Sequence, residues 1–177
     1  MKIFLLAGQS LSNKEWIEEV EQEFKKEFQD TKIIYYDHWK NESKNIDSEK
    51  EVGKFVKLVN EYTGDYLVFA KSIGTIIFSK GMEKLTNKPK GVLMVGIPYN
   101  LALDMGVDMD KLKEKIDFNL NIYQKELDPL GNLKDIENVG GGKVKVSKYV
   151  CEGEENNNHH YSNTSYLLGL IKELLVS

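Results

Sequence analysis

The chain has 177 residues, of which 41% are hydrophobic and 29% charged, and its formal net charge is −4 at pH 7. This length and hydrophobic content suit one domain over residues 1–177 and leave little room for a second. The negative charge offers no basic surface, so we expect neither nucleic acid nor an anionic membrane as a partner. The oligomeric state stays open, and nearly all lysines and glutamates are expected on a solvated surface.

The location of the protein is indicated by its cysteine and its amino terminus. Cys151 is the single cysteine, which excludes an internal disulfide and fits a reducing compartment. The apolar run 3–8 is shorter than the core of a signal peptide and lacks a cleavage site, so it is predicted as the first strand. No apolar run approaches the roughly 20 residues that span a membrane. We therefore expect a cytoplasmic protein.

Strand-forming and helix-forming segments alternate along the chain. The pattern predicts, in order, strand 3–8, helix 13–28, strand 31–37, a polar loop 39–47, helix 48–62, strand 65–70, a helix after Ser72 that runs to Met82, strand 91–96, helix 108–116, strand 118–123, strand 144–150 and helix 163–176. This alternation, rich in branched and aromatic apolar residues, favours an α/β three-layer sandwich with a mostly parallel sheet of about six strands. In such a sheet, functional residues gather on loops at the carboxyl ends of the strands.

Ser72 lies between the strand 65–70 and the helix that follows it. A serine on a sharp strand-to-helix turn exposes its hydroxyl above the sheet and lies beside free backbone N–H groups. Those are the two requirements of an acyl-transfer nucleophile. Gly74 allows the helix to pack closely on the strand end, whereas a helix-capping serine is the simpler alternative.

A general base for this serine would be one of three histidines. His38 follows the second strand beside Trp39, where a semi-exposed histidine packing on the tryptophan is the favoured interpretation. His159 and His160 follow the last strand in a polar loop. Adjacent side chains of an extended segment point in opposite directions, so only one of the two can face Ser72.

An acid must orient the imidazole, and Asp128 follows the strand 118–123 at a loop that contains Pro129. Glu126 in the same loop competes with it, and Asp104, after the preceding strand, is a more distant candidate. Serine, acid and histidine then follow successive strands in that order along the chain.

With these motifs the sequence resembles the α/β-hydrolase superfamily, specifically its small serine hydrolases that lack a cap domain. The resemblance spans essentially the whole chain and is carried by the elbow 70–74, the acid loop 128–131 and the histidine loop 159–161. It implies Ser72 as nucleophile, Asp128 as acid and His159 as base, with His160 as the alternative base. His159 is preferred because the family often has an aromatic residue two positions on, here Tyr161. Ala70 departs from the glycine with which the elbow usually begins.

The resemblance also implies an oxyanion hole formed by the backbone N–H of Ile73 and of Gln9, or of Ser10 in the same loop. The expected activity is cleavage of a carboxylic ester of a small-molecule acyl substrate. Peptidase or thioesterase activity would use the same residues, and a non-catalytic binding module with this fold is the alternative from another class.

No cofactor or metal is expected. The loop after the first strand lacks the Gly-Lys-Ser/Thr ending of a phosphate-binding loop. Metal-binding residue types cluster near the last strand without the spacing of a ligand set; they are Glu152, Glu154, Glu155, His159 and His160.

Overall fold

The computed structural model of the chain describes residues 1–41, 43 and 45–175. In that part, one sheet has the strand order β2-β1-β3-β4-β5-β6, and every neighbouring pair is parallel. The strands are β1 Lys2–Leu6, β2 Asp30–Ile33, β3 Tyr66–Lys71, β4 Gly91–Val95, β5 Asn119–Gln124 and β6 Val144–Lys148.

Helices cover both faces of this sheet. They are α1 Ser12–Phe24, α2 Ser48–Asn60, α3 Ile73–Gly81, α4 Tyr99–Asp104, α5 Met109–Leu112, α6 Leu133–Ile136 and α7 Thr164–Glu173. Helix α1 packs against α7, and α2 packs against α3. The predicted fold class, a three-layer α/β sandwich with a parallel sheet of about six strands, is confirmed.

The centre of the sheet is built from continuous apolar runs. All six residues of β3 are buried, including Lys71 at its end. Strands covered on both faces have this character, because neither face of the strand meets water. Helix α1 instead buries one stripe, formed by Ile17, Val20 and Phe24, which is the pattern of a helix with one face on the core.

The strand order creates a switch point between β1 and β3. The chain passes from β1 to β2 on one side of the sheet and then to β3 on the other side. Crevices outside the carboxyl ends of the strands at such points are the usual binding sites of open α/β sheets. Here the N–H of Gly74 donates to the carbonyl of Ala7 at 3.1 Å, which ties the start of α3 to the loop after β1.

Several predicted boundaries differ from the structure. Strand β2 ends at Ile33, and Asp37–Asn41 forms a 3-10 helix inside the region predicted as strand end and loop. Helices α4 and α6 were not predicted, although α6 begins with a capping box in which Asn132 and Asp135 bond reciprocally. Glu42 and Lys44 of the predicted loop 39–47 and Val176 of the predicted helix 163–176 lie outside the described residues, and α7 ends at Glu173.

Among the residues that the structure describes, no helix combines the length and the apolar character that a membrane crossing requires.

Candidate active site

Ser72 occupies a strained backbone conformation at the junction of β3 and α3. Its φ is 55° and its ψ is −124°, and it is the one non-glycine residue with positive φ in the described part of the chain. Side chains of L-residues rarely tolerate such angles, which cost about 1–3 kcal/mol. Strain of this kind persists where the surrounding structure enforces it, and sharp elbows that present a nucleophile are one such place.

The hydroxyl of Ser72 does not cap helix α3. The side chain makes no capping hydrogen bond, although the residue stands at the N-cap position. The carbonyl of Ser72 instead accepts bonds from Thr75, from Oγ1 at 2.7 Å and from the backbone N–H at 2.9 Å. The interpretation of this serine as a side-chain helix cap is therefore wrong.

The tight elbow depends on small residues on both sides of Ser72. A Cβ at Gly74 would lie 2.6 Å from the carbonyl oxygen of Leu6, so only glycine allows α3 to start this close to β1. Ala70, where the resembled family usually has glycine, is fully buried in β3 between its partners Leu6 and Met94. The sharp turn at Ser72 is thus formed with a methyl group at that position.

His159 and Asp128 form a partly buried hydrogen-bonded pair. Nδ1 of His159 lies 2.9 Å from Oδ1 and 2.8 Å from Oδ2 of Asp128. The aspartate side chain is 0% exposed and the histidine side chain 16% exposed. Because Nδ1–H donates to the carboxylate, the neutral imidazole keeps Nε2 unprotonated and able to accept a proton. That Nε2 is buried and has no hydrogen-bond partner among the described residues.

Two further donors hold the Asp128 carboxylate. The N–H of Leu130 donates to Oδ1 at 3.0 Å, and the hydroxyl of Tyr161 donates to Oδ2 at 2.8 Å. Burial, together with the charge of Asp128, raises the pKa of Tyr161 well above its ordinary value, so this hydroxyl remains a donor. The other two candidate acids lie elsewhere: Glu126 is exposed and paired with Lys148, and Asp104 is exposed at the end of α4.

The imidazole of His159 lies over the end of β4, and β4 is the neighbour of β3, the strand that leads into Ser72. Gly96, directly after β4, has a φ of 61°, and a Cβ on it would come within 3.1 Å of Cε1 of His159. The neighbouring carbonyl of Val95 accepts the N–H of Ser72 at 3.2 Å. No hydrogen bond joins Ser72 to His159 in the described structure. Catalytic hydrogen bonds of this kind often form fully only when a substrate binds.

The other histidines have different surroundings. His160 is exposed, and its backbone N–H donates to Oδ1 of Asn158 at 3.0 Å. His38 is buried rather than semi-exposed, and it packs on Trp39 as predicted. Both His38 and Trp39 contact the carbonyl of Gln9, with Nε2 at 2.7 Å and Nε1 at 2.9 Å.

This clamp fixes the loop that carries one predicted oxyanion donor. With its carbonyl held by two rings, the backbone of Gln9 has a defined direction beside the start of α3. Ile73 is the first residue of α3, so its N–H has no acceptor within the helix. Sequence reasoning missed the clamp, although two aromatic rings in a polar segment were a signal for it.

A buried lysine anchors the histidine loop. Lys125, directly after β5, has a side chain that is 1% exposed and lies 3.0 Å from the carboxylate of Glu154. Its amine also donates to the carbonyl of Glu155 at 2.8 Å and to Oδ1 of Asn158 at 3.0 Å. Asn158 precedes His159, so this network sets the position of the imidazole. The sequence alone gives no sign of this anchor, because lysine is usually a surface residue.

In the described part of the chain, histidine, cysteine and acidic side chains form no group of three or more that could hold a metal ion. No candidate ligand set can therefore be named.

Comparison with solved structures finds a relative in fold. A Pectobacterium atrosepticum protein, proposed to be a YdeN-like hydrolase, matches with a TM-score of 0.68 and 13% sequence identity over 98% of this chain and 89% of its own. At this identity the likeness establishes the shared fold alone. No protein-family model matches the sequence. No curated protein matches it either.

Proposed function

We propose that this protein is a serine hydrolase that cleaves a carboxylic ester, with Ser72 as nucleophile, His159 as general base and Asp128 as the acid that orients it. The observation that carries the proposal is the strained elbow at Ser72 together with a hydrogen-bonded Asp128–His159 pair, whose imidazole lies over the neighbouring strand end with its Nε2 unpartnered among the described residues. The fold is shared with a protein proposed to be a hydrolase, which agrees with this reaction class.

In the proposed reaction, Nε2 of His159 removes the proton of the Ser72 hydroxyl as Oγ attacks the ester carbonyl. Asp128 holds the imidazole by Nδ1 and stabilises the imidazolium that forms. The imidazolium then gives its proton to the leaving alcohol, which departs and leaves an acyl group on Ser72. Water attacks the acyl-enzyme with His159 again as base, and the acid product is released.

The negative charge that develops on the carbonyl oxygen needs hydrogen-bond donors already in place. The N–H of Ile73 is suited to this role, because it is one of the free donors at the start of α3. The N–H of Gln9 is the proposed second donor, and the clamp on the Gln9 carbonyl would keep it oriented.

A non-catalytic binding module is the second candidate. It is favoured by one observation, which is that no hydrogen bond joins Ser72 and His159 among the described residues. In that case the crevice would bind a ligand without forming a covalent intermediate.

Covalent labelling separates the two candidates. We expect a fluorophosphonate probe to label the wild-type protein at Ser72, with the site found by peptide mass mapping, and Ser72→Ala to remove the label. Ser79→Ala is the matched control, because Ser79 is also buried, lies farther along the same helix α3, and its hydroxyl donates to the carbonyl of Thr75 at 2.7 Å. A folded wild-type protein that takes no label would refute the hydrolase proposal.

The kind of acyl bond that the protein cleaves is tested by measuring turnover. Ester, thioester and peptide substrates with the same acyl group would be compared by kcat/KM, and we expect the ester to be preferred. A preference for the thioester or the peptide would keep the nucleophile and correct the substrate class.

A further inference from the structure

Lys71, the residue directly before Ser72, has a buried amine that the proposed reaction does not use. The residue is 6% exposed at the end of β3. Its Nζ donates to Oδ1 of Asn13 at 3.0 Å and lies 5.4 Å from the centre of the Trp16 ring. An ammonium has three N–H donors, so this contact to a neutral amide leaves two of them for another acceptor.

No carboxylate pairs with this amine in the part of the chain that the structure describes. Burial lowers the pKa of Lys71 to about 8, while the charge of Asp128 opposes that change through space. Asp128 is already bonded to His159, Tyr161 and Leu130. At neutral pH the amine is therefore mainly charged and lacks a counter-ion, which is a costly state for a buried group.

The amine faces a cavity that is shared with the proposed catalytic histidine. This cavity has a volume of about 280 Å³, and its walls include Lys71, Trp16, His159 and the hydroxyl-bearing residues Ser10 and Ser12. The volume suits a short chain of a few carbon atoms rather than a long acyl tail. Because His159 lines the same cavity, a group bound against Lys71 would lie near the proposed general base.

We propose that this cavity binds a carboxylate of the substrate through Lys71, so that the preferred substrates are esters whose short acyl chain ends in a second, ionised carboxyl group. The carboxylate supplies the missing counter-ion, and the two unused N–H groups of the amine donate to it. The assignment of the substrate class rests on the proposed hydrolase function, whereas binding of the anion does not.

Binding of a free dicarboxylate tests the anion site without any turnover. Titrations at pH 7 and fixed ionic strength, followed by NMR, would compare glutarate with its neutral diamide, glutaramide. Because a charge-assisted hydrogen bond at a buried site is a strong one, we expect glutarate to bind the wild-type protein at least about ten-fold more tightly than glutaramide. Equal affinity, or no binding of glutarate, would overturn the proposal, and this comparison needs no variant to fold.

Substitution then locates the site. Lys71→Met keeps a similar length without the charge, and we expect it to weaken glutarate binding about ten-fold or more. Lys90→Met is the matched control, because the Lys90 side chain is 61% exposed and pairs with Asp65 at the opposite end of β3. If Lys71→Met binds glutarate as the wild-type protein does, the anion site is wrong.

Kinetics connect the anion site to the reaction. The two substrates are mono-4-nitrophenyl glutarate and 4-nitrophenyl pentanoate, which have equal acyl length and differ in the terminal carboxylate. We expect kcat/KM of the wild-type protein to favour the glutarate ester at least about ten-fold, and Lys71→Met to bring this ratio close to one. A ratio near one in the wild-type protein would overturn the substrate class. If the wild-type protein binds glutarate but takes no fluorophosphonate label at Ser72, the hydrolase function alone is refuted.

Discussion

Tyr161 donates its hydroxyl hydrogen bond to Oδ2 of Asp128 at 2.8 Å, and the same hydroxyl accepts the backbone N–H of Lys125 at 3.2 Å. One phenol therefore joins the acid of the proposed triad to the end of β5. Its ring also meets the imidazole of His159 edge-on, with the ring centres 5.9 Å apart. Tyr161, two positions after His159, thus helps to hold both Asp128 and His159 in place.

Tyr161→Phe should lower both activity and stability by modest amounts. The substitution removes a donor from Asp128 and an acceptor from Lys125, which costs about 1 kcal/mol of unfolding free energy. Looser placement of the imidazole should reduce kcat by up to about ten-fold with little change in KM. Tyr66→Phe is the control, because Tyr66 is also buried and its hydroxyl donates to the carbonyl of Asn87 at the other end of β3. A fall in kcat for both variants would contradict a positioning role.

The identity of the base is tested at two adjacent positions. His159 is bonded to Asp128, whereas His160 is exposed. We expect His159→Ala to reduce kcat/KM by about 1,000-fold or more, because the attacking hydroxyl loses its proton acceptor. His160→Ala should stay within a few-fold of the wild-type value. If only the His160 variant is inactive, the assignment of His159 as base is wrong.

The acid is tested by a second matched pair. Asp128→Asn keeps the shape of the side chain but replaces the carboxylate that accepts Nδ1–H, so the wrong tautomer of His159 becomes favoured. We expect kcat to fall by about 1,000- to 10,000-fold while the protein stays folded by circular dichroism. Glu126→Gln should have no effect on kcat, because Glu126 is exposed and paired with Lys148. The reverse pattern would place the acid at Glu126.

The sequence predicts the architecture well because its signals are local and repeated. The alternation of apolar strands with amphipathic helices determines a parallel sheet, and the rule that functional residues follow strands identifies Ser72, Asp128 and His159 as candidates. The roles of the two buried lysines could not be predicted, because they depend on contacts that are not local. Lys71 and Lys125 have the residue type of a solvated surface, and their partners Asn13 and Asn158 lie 58 and 33 residues away along the chain.

Lys125→Met tests the anchor of the histidine loop. Removing the amine leaves the carboxylate of Glu154 buried without its ion-pair partner, which should cost about 3–5 kcal/mol of unfolding free energy in denaturant titrations. Lys148→Met is the control, since its pair with Glu126 is largely exposed, and its stability should stay within about 0.5 kcal/mol. Equal stability of the two variants would show that the network with Glu155 and Asn158 does not hold the loop.

Two glycines in helices give opposite expectations for the same substitution. A Cβ at Gly74 would lie 2.6 Å from the backbone oxygen of Leu6, and the backbone there cannot move without disturbing β1. Gly74→Ala should therefore reduce the unfolding free energy by about 1–3 kcal/mol. It should also weaken fluorophosphonate labelling of Ser72, because the elbow must open.

Gly53, in the interior of α2, is the matched control. A Cβ there would meet nothing within 4 Å, so Gly53→Ala should increase the unfolding free energy by about 0.5–1 kcal/mol and leave labelling unchanged. The contrast separates the general cost of glycine in a helix from the close approach that the elbow requires. If Gly74→Ala is as stable as the wild-type protein and is labelled at the same rate, the turn at Ser72 does not depend on contact between α3 and β1.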